Sequence, residues 1–389
     1  MASNNKPFDE VFVEESVLDS PLVKELRKTL PLASFHVIPD EHQGRHIGLP
    51  LPTPGSPSRT LWVDRFKGRF LRSCPATRFY HCCGYTILHF AENCSLDCTY
   101  CILQAYLNQP YLRVFGNLDE MFDEVEKVLV QHRDTLFRIG TGEFTDSLLL
   151  DPWIGFSEHV VPFFARQPNA VLELKTKTVS IDRLKDLDHA GHTIVSWSLN
   201  APSISARDEG RSASLDQRIN AALKCLDWGY FLGFHFDPLF FFPGWEDEYD
   251  FTVKKLFEHI PPDRIVYISL GAFRFMPELK AKILSKRPKW KLVSGEFVLS
   301  PDGKKRYFVD IRVSLYRFML DRIRSFAPDV CVYLCMESSS VWKRVFGFSP
   351  DEKGGLPAIL DDTVKKTMKV GTNCNRSAAS LFLKKPQPI

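Results

Sequence analysis

The chain has 389 residues, 44% of them hydrophobic and 25% charged. That is ordinary globular composition in a chain long enough to bury a core unaided, which excludes wholesale disorder, collagen-like repeats and a small disulfide scaffold. Its 50 Lys and Arg stand against 47 Asp and Glu, a formal charge of +3, so net charge makes no case for nucleic acid, although a local basic patch stays possible.

No apolar run reaches the roughly 18 residues of a spanning helix, so no membrane partner is expected. Met1–Glu15 lacks the basic start and apolar stretch of a signal peptide, and a cytoplasmic location is expected. Residues 1–60 read as irregular, with one helix near Leu22–Leu30 and a turn-rich linker from Leu51. A rhythm begins near residue 119. Met121, Phe122, Val125, Val128 and Leu129 recur at helical spacing over Asp119–His132. Strands are predicted at Phe137–Ile139, Ala170–Leu174, His192–Leu199, Tyr230–Phe236 and Arg264–Ser269. Helices are predicted between them at Ser157–Ala165, Ile181–Ala190, Leu215–Trp228 and Glu246–His259.

Strands alternating with helices imply βαβ units around a parallel sheet. Roughly six such units fit between 86 and 275, which predicts an α/β fold with a partial (β/α)6 TIM-type barrel and functional groups at the C-terminal strand ends. Residues 1–85 form an N-terminal extension in this reading. Residues 276–389 form a C-terminal α+β region, with a β-hairpin turning at Ser300-Pro301-Asp302-Gly303. A helix near Val313–Ser325 and a strand near Val330–Leu334 follow, and the tail from Gly371 is expected to be loose.

Ten cysteines in a reducing compartment suggest metal or catalysis before disulfides. Three of them form Cys94-Ser-Leu-Asp-Cys98-Thr-Tyr-Cys101. Thiolates at this CxxxCxxC spacing converge from one loop, and iron–sulfur clusters are held by such thiolates. Three ligands on a four-iron cluster leave one iron open. The alternative is a structural zinc with His89, Cys82 or Cys83 as fourth ligand, although zinc usually takes paired CxxC knuckles.

CxxxCxxC opening a (β/α) barrel resembles the radical S-adenosylmethionine (SAM) superfamily. Within it, Cys98-Thr-Tyr-Cys101-Ile-Leu-Gln-Ala is similar to the spore photoproduct lyase family. The likeness continues through Pro110–Phe115, Trp197–Asn200, Leu215–Ile219, Gly229–Gly233 and Gly244–Tyr249. The resemblance implies a 4Fe-4S cluster on Cys94, Cys98 and Cys101, SAM chelated to the open iron, and a 5′-deoxyadenosyl radical that abstracts hydrogen from substrate. It also implies a reductase or flavodoxin-type electron donor.

In the same resemblance, Gly140, Gly142 and Glu143 correspond to the superfamily's GGE-type SAM contact, with Thr145 and Asp146 lining the pocket. Lys177 aligns with a lysine reaching the SAM carboxylate, Lys175 being the competing choice because alternation puts both on one face. Ser198 and Asn200 match a ribose or carboxylate contact. His235 and Asp237 are two polar groups on one strand face, a cost that a barrel-mouth position near substrate relieves. Tyr100 is retained from the family motif. Arg306 and Tyr307 match an Arg-Tyr pair of the hairpin, the arginine as a phosphate contact and the tyrosine as a hydrogen-atom relay.

Two positions depart from the pattern. The family's hydrogen-donor cysteine falls at or next to Glu143, leaving Cys331 and Cys335 as other donors. The aromatic residue after the third cluster cysteine is Ile102. The expected function is a radical SAM lyase acting on a damaged or adducted DNA base, which a duplex must extrude. RNA or a small molecule as substrate, and a non-catalytic zinc-stapled nucleic-acid-binding protein, are the alternatives. Lys304–Arg306, Lys343-Arg344, Lys365-Lys366 and Lys384-Lys385 are candidate phosphate contacts.

Overall fold

A computed structural model describes residues 7–40, 59–74, 79–107 and 109–382; Lys384-Lys385 lies outside them. The strands in chain order are β1 (Glu10–Glu14), β2 (Ser34–Ile38), β3 (Thr60–Asp64), β4 (Leu71–Ser73), β5 (Thr86–Leu88), β6 (Ala91–Glu92), β7 (Leu112–Phe115), β8 (Thr135–Gly140), β9 (Ala170–Thr176), β10 (Thr193–Ser198), β11 (Phe231–Leu239), β12 (Ile265–Ala272), β13 (Arg274–Phe275), β14 (Phe297–Leu299), β15 (Lys305–Tyr307), β16 (Val332–Leu334) and β17 (Arg376–Ser377).

The main sheet runs β16-β12-β11-β10-β9-β8-β5-β4. From β5 to β16 every neighbouring pair is parallel; β4 closes one end antiparallel. Sequential strands thus lie side by side and curl into a partial barrel. Strand β12 is buried along its whole length, as a parallel strand covered on both faces must be. Helix Phe156–Ala165 packs on β9 and β10, and helix Leu215–Asp227 on β10 and β11. The second starts with a capping box, in which the Ser214 hydroxyl accepts from the Gln217 amide and the Gln217 side chain accepts from the Ser214 amide.

Three expectations need correction. The N-terminal residues are not irregular: β1 pairs in parallel with both β2 and β3, and β3 with β7. The local alternation is short, and the partners near Ser34, Thr60 and Leu112 are distant in sequence, so no window shows the pairing. The helix near Leu22–Leu30 does form, at Pro21–Thr29, with Ser20 capping the Leu22 amide. The predicted helix Ile181–Ala190 shrinks to a 3-10 turn, Asp182–Leu184, since Asp186 and Ala190 take positive φ. Ile181 and Leu184 are buried, and spacing of three serves a 3-10 turn as well as an α-helix. Past Gly371 the chain is not loose over residues 372–382: β17 pairs with β8 and Cys374 is buried.

The C-terminal hairpin forms as expected, β14 antiparallel to β15 around Gly303 at φ +78. Ahead of its first strand, Lys291–Val293 is a 3-10 turn. One contiguous apolar core runs from Phe8 to Ala378.

Candidate functional site

The predicted site residues lie on the cysteine loop after β6, on the turn after β8, on or just after β9, β10 and β11, and on the hairpin strand β15. The cysteine loop is bent by two non-glycine residues in the left-handed region, Asn93 (φ 74) and Asp97 (φ 54). The Asn93 side chain accepts from the Cys94 amide at 2.9 Å and donates to the carbonyls of Gln109 and Tyr111. From the other side, residues 208–211 press on the loop. The Thr99 amide donates to the Asp208 carbonyl, and the Arg211 amide to the Leu96 carbonyl. A Cβ at Gly210 would stand 2.3 Å from the Leu96 carbonyl oxygen, so this approach requires glycine.

Burial pushes the thiols of Cys94, Cys98 and Cys101 above their ordinary range, and neighbouring cysteines add to this at Cys94 and Cys98. Lys177 counters this at Cys98 and Cys101. The donor set is three thiols on one clamped loop, which suits a cluster. Among the described residues no three His, Cys, Asp or Glu side chains are gathered to hold one metal ion; ligands that each take a different iron sit further apart than ligands of one ion. Two of the fourth ligands weighed for a structural zinc are engaged elsewhere. His89 faces Glu92 at 3.2 Å between Phe66 and Phe115. Cys82 packs with Cys74 and Met336 in a separate apolar cluster.

Beside the cysteines sits Glu209, which sequence reasoning missed. It is fully buried. Its carboxylate accepts from the Tyr100 hydroxyl and pairs with Arg218, both at short range, and lies 3.7 Å from the Lys177 ammonium. Burial pushes its carboxyl up, but Lys177, Arg218 and the hydrogen bonds outweigh this and hold it at about 2. The Tyr100 hydroxyl is therefore spent on Glu209, and its ring meets Phe240 at 5.2 Å. Arg218 also donates to the Ser198 carbonyl at 2.6 Å. The Asn200 carbonyl accepts from Tyr249 and its amide donates to the Pro238 carbonyl. Lys177, Ser198 and Asn200 are thus brought together around one carboxylate. The one signal for it was Arg218 within Leu215–Ile219, an arginine on the buried face of a helix.

The turn after β8 has a different logic from the expected one. At Gly140 a Cβ would fall 1.4 Å from the Tyr85 hydroxyl, so that glycine makes room for a buried tyrosine. Gly142 backs onto the Lys175 side chain, with 3.0 Å for a Cβ. Thr145 is buried. Asp146 accepts from the amides of Leu148, Leu149 and Lys177 and from the Thr176 hydroxyl. It ties this turn to the end of β9. Glu143 is half-buried, and the Lys175 ammonium feels Glu143, Glu173, Asp237 and Cys335 together. The two lysines therefore part company: β9 ends at Thr176, so Lys175 faces the barrel interior while Lys177 turns to Glu209.

His235 and Asp237 occupy successive layers. His235 hydrogen-bonds Glu173 through Nε2 and the Ser269 hydroxyl through Nδ1, both at 2.7 Å. Glu173 also accepts from Ser196 and Tyr267. Burial pushes Glu173 up, but His235, Lys175 and the hydrogen bonds hold it at about 2. Asp237 is bound at 3.1 Å by both guanidinium nitrogens of Arg274, and a Cβ at Gly271 would strike its carboxylate. Cys335 lies 3.8 Å from Arg274; Cys331 lies below, one residue before β16. The polar cost anticipated for His235 and Asp237 is met by partners rather than by exposure.

The hairpin residues do not match expectation. Arg306 is 1% exposed, pairs through both terminal nitrogens with Asp302, and stacks 4.1 Å over the Tyr80 ring. It is not free to bind phosphate, because the Asp302 carboxylate of its own turn already takes its planar fork. Tyr307 is buried against Phe297 at 4.7 Å and accepts from the Phe241 amide.

A sequence model described as "Spore photoproduct lyase" matches residues 78–300. The spore photoproduct lyase of Bacillus subtilis is 30% identical over 305 residues, covering 76% of this chain and 85% of its own length. That of Clostridium acetobutylicum is 24% identical over 290 residues, covering 73% and 84%. A solved spore photoproduct lyase variant with dinucleoside spore photoproduct superposes with TM-score 0.75 at 24% identity over 84% of this chain and 98% of its own. Another variant, with bound AdoMet and dinucleoside spore photoproduct, superposes with TM-score 0.73 at 25% identity over 85% and 100%. A parallel partial barrel, three thiols on one clamped loop and these matches have one common reading: this chain belongs to the spore photoproduct lyase family of radical SAM enzymes.

Proposed function

We propose that this chain is a DNA repair lyase that splits a spore-photoproduct-type thymine lesion, with a 4Fe-4S cluster on Cys94, Cys98 and Cys101 and SAM at the strand ends above the barrel. The observation that carries the reading is the cysteine loop itself, clamped by Gly210 and Asp208 at the mouth of the parallel barrel. When bound, cluster and SAM together supply a 5′-deoxyadenosyl radical. The protein's part is to bind, orient and keep water out. Lys177, on the cysteine side of Glu209, offers its ammonium to the SAM carboxylate. Glu143, half-buried at the strand end, accepts the methionine ammonium. Lys175 keeps Glu143, Glu173 and Asp237 from repelling one another. Ser198 and Asn200 hold the loop after β10 through their Arg218 and Tyr249 bonds.

The test is anaerobic reconstitution with iron and sulfide, then dithionite and SAM, with 5′-deoxyadenosine measured against dinucleoside spore photoproduct, other ultraviolet lesions and undamaged DNA. Product formed with the spore photoproduct, and lost in Cys98→Ala, is expected. A protein that takes up stoichiometric zinc and makes no 5′-deoxyadenosine refutes the reading. Turnover on RNA or a small molecule alone would replace the DNA substrate.

A further inference from the structure

The outer wall of the cysteine loop is strongly basic. Between Pro277 and Glu296 the chain carries Lys280, Lys282, Lys286, Arg287, Lys289 and Lys291 against only Glu278 and Glu296. Lys282, Lys286, Lys289 and Lys291 are exposed. This segment, a helix (Pro277–Lys286) with the turn after it, lies directly on the loop. The Lys282 ammonium donates to the Gln104 carbonyl at 2.7 Å and Lys286 to the Gln104 side chain at 3.2 Å. Arg287 approaches Asp97 at 3.5 Å. Gln104 in turn donates to the carbonyls of Cys98 and Thr99. A single residue therefore separates this basic face from the cysteine backbone.

We propose that this basic face, centred on Lys282, Lys286, Lys289 and Lys291, docks an acidic, low-potential flavoprotein that delivers electrons to the site held by Cys94, Cys98 and Cys101. The inference rests on the cluster reading above. One electron leaves the anionic flavin hydroquinone and enters that site, leaving the neutral flavin semiquinone with its proton retained. Electron transfer falls steeply with distance, so a donor must sit on the thinnest wall over the acceptor. SAM and substrate enter from the barrel mouth, which leaves the outer side of the loop to the donor. A cationic surface there steers an acidic partner and sets its register. DNA is also anionic, but the segment's contacts are to the cysteine loop and not to the strand-end pocket where a base must be reached.

The experiment uses the reconstituted full chain and a purified acidic flavodoxin reduced to its hydroquinone. Reduction is followed by bleaching of the visible cluster absorption and by electron paramagnetic resonance. Lys289→Glu with Lys291→Glu is the main variant, since both residues are exposed and off the cysteine loop; Lys282→Glu with Lys286→Glu is the second. The expected result is a reduction rate by flavodoxin about tenfold lower at low salt in both variants, with the difference fading as salt rises. Dithionite should reduce variants and parent alike. Equal flavodoxin rates overturn the proposal, as does weakened DNA binding with an unchanged flavodoxin rate, which would make the face a phosphate contact. If dithionite reduces nothing in the parent chain, the cluster reading itself fails.

Discussion

Replacing Glu209 by Gln tests whether one buried carboxylate organises the cysteine loop. Glu209 and Arg218 are both buried, at 0% and 1% side-chain exposure. Removing one charge from such a pair leaves the other uncompensated and costs about 3–5 kcal/mol. Arg218 keeps its bonds to the carbonyls of Ala213 and Ser198 and to the Ser212 hydroxyl, and Gln still offers an acceptor to Tyr100. The lower end of the range therefore applies, about 3 kcal/mol. Arg218→Met removes the stranded cation and fills its space, so Glu209→Gln with Arg218→Met should recover much of the loss, a coupling of about 2 kcal/mol. Tyr100→Phe deletes a single bond to the carboxylate and should cost about 1.5–2 kcal/mol. The assay is anaerobic urea denaturation followed by far-ultraviolet circular dichroism, comparing midpoints at constant slope. A Glu209→Gln loss under about 1 kcal/mol, or strict additivity in the double variant, refutes the argument.

Three further outcomes are expected. Gly140→Ala puts a methyl group into the Tyr85 phenol and should destabilise by about 1–3 kcal/mol; Tyr85→Ala in the same chain should remove the extra penalty, and an unchanged midpoint in Gly140→Ala would be incompatible with this packing. Glu173 is held at about 2 against an ordinary 4.5, so its ionised form stabilises the fold above about pH 4.5 and that stability, on the order of 3 kcal/mol, is lost as the pH falls toward 2. Glu173→Gln should flatten the acid limb of a thermal-midpoint profile, and parallel limbs would refute the assignment. Arg306→Ala should loosen the hairpin, seen as faster amide exchange over residues 297–307, while the salt slope of DNA binding stays unchanged; a slope reduced by about one would restore Arg306 as a phosphate contact.

Much of the barrel was legible because its signals are local. Helix Leu118–Gln131 carries Met121, Val125 and Leu129 on one buried face, and each strand from β8 to β12 lies within a few residues of its expected place. The hairpin announced itself through Asp302-Gly303. The N-terminal sheet did not, because β1, β2 and β3 find their partners across long loops. Ile181–Ala190 misled because a spacing of three is shared by two helix types.

At the site, the cysteine motif and the glycine turn were visible as short strings. Their partners were not. Glu209 reaches Tyr100 over 109 residues and Glu173 reaches Tyr267 over 94. Arg306 looked like an anion contact until the turn folded Asp302 against it. Residue type and spacing along the chain are enough to set local conformation and to assemble three thiols from one loop. Which charges neutralise each other is decided only when distant strands share a low-dielectric interior, where an unpaired ion is too costly to keep and every buried carboxylate must find its cation or its donors.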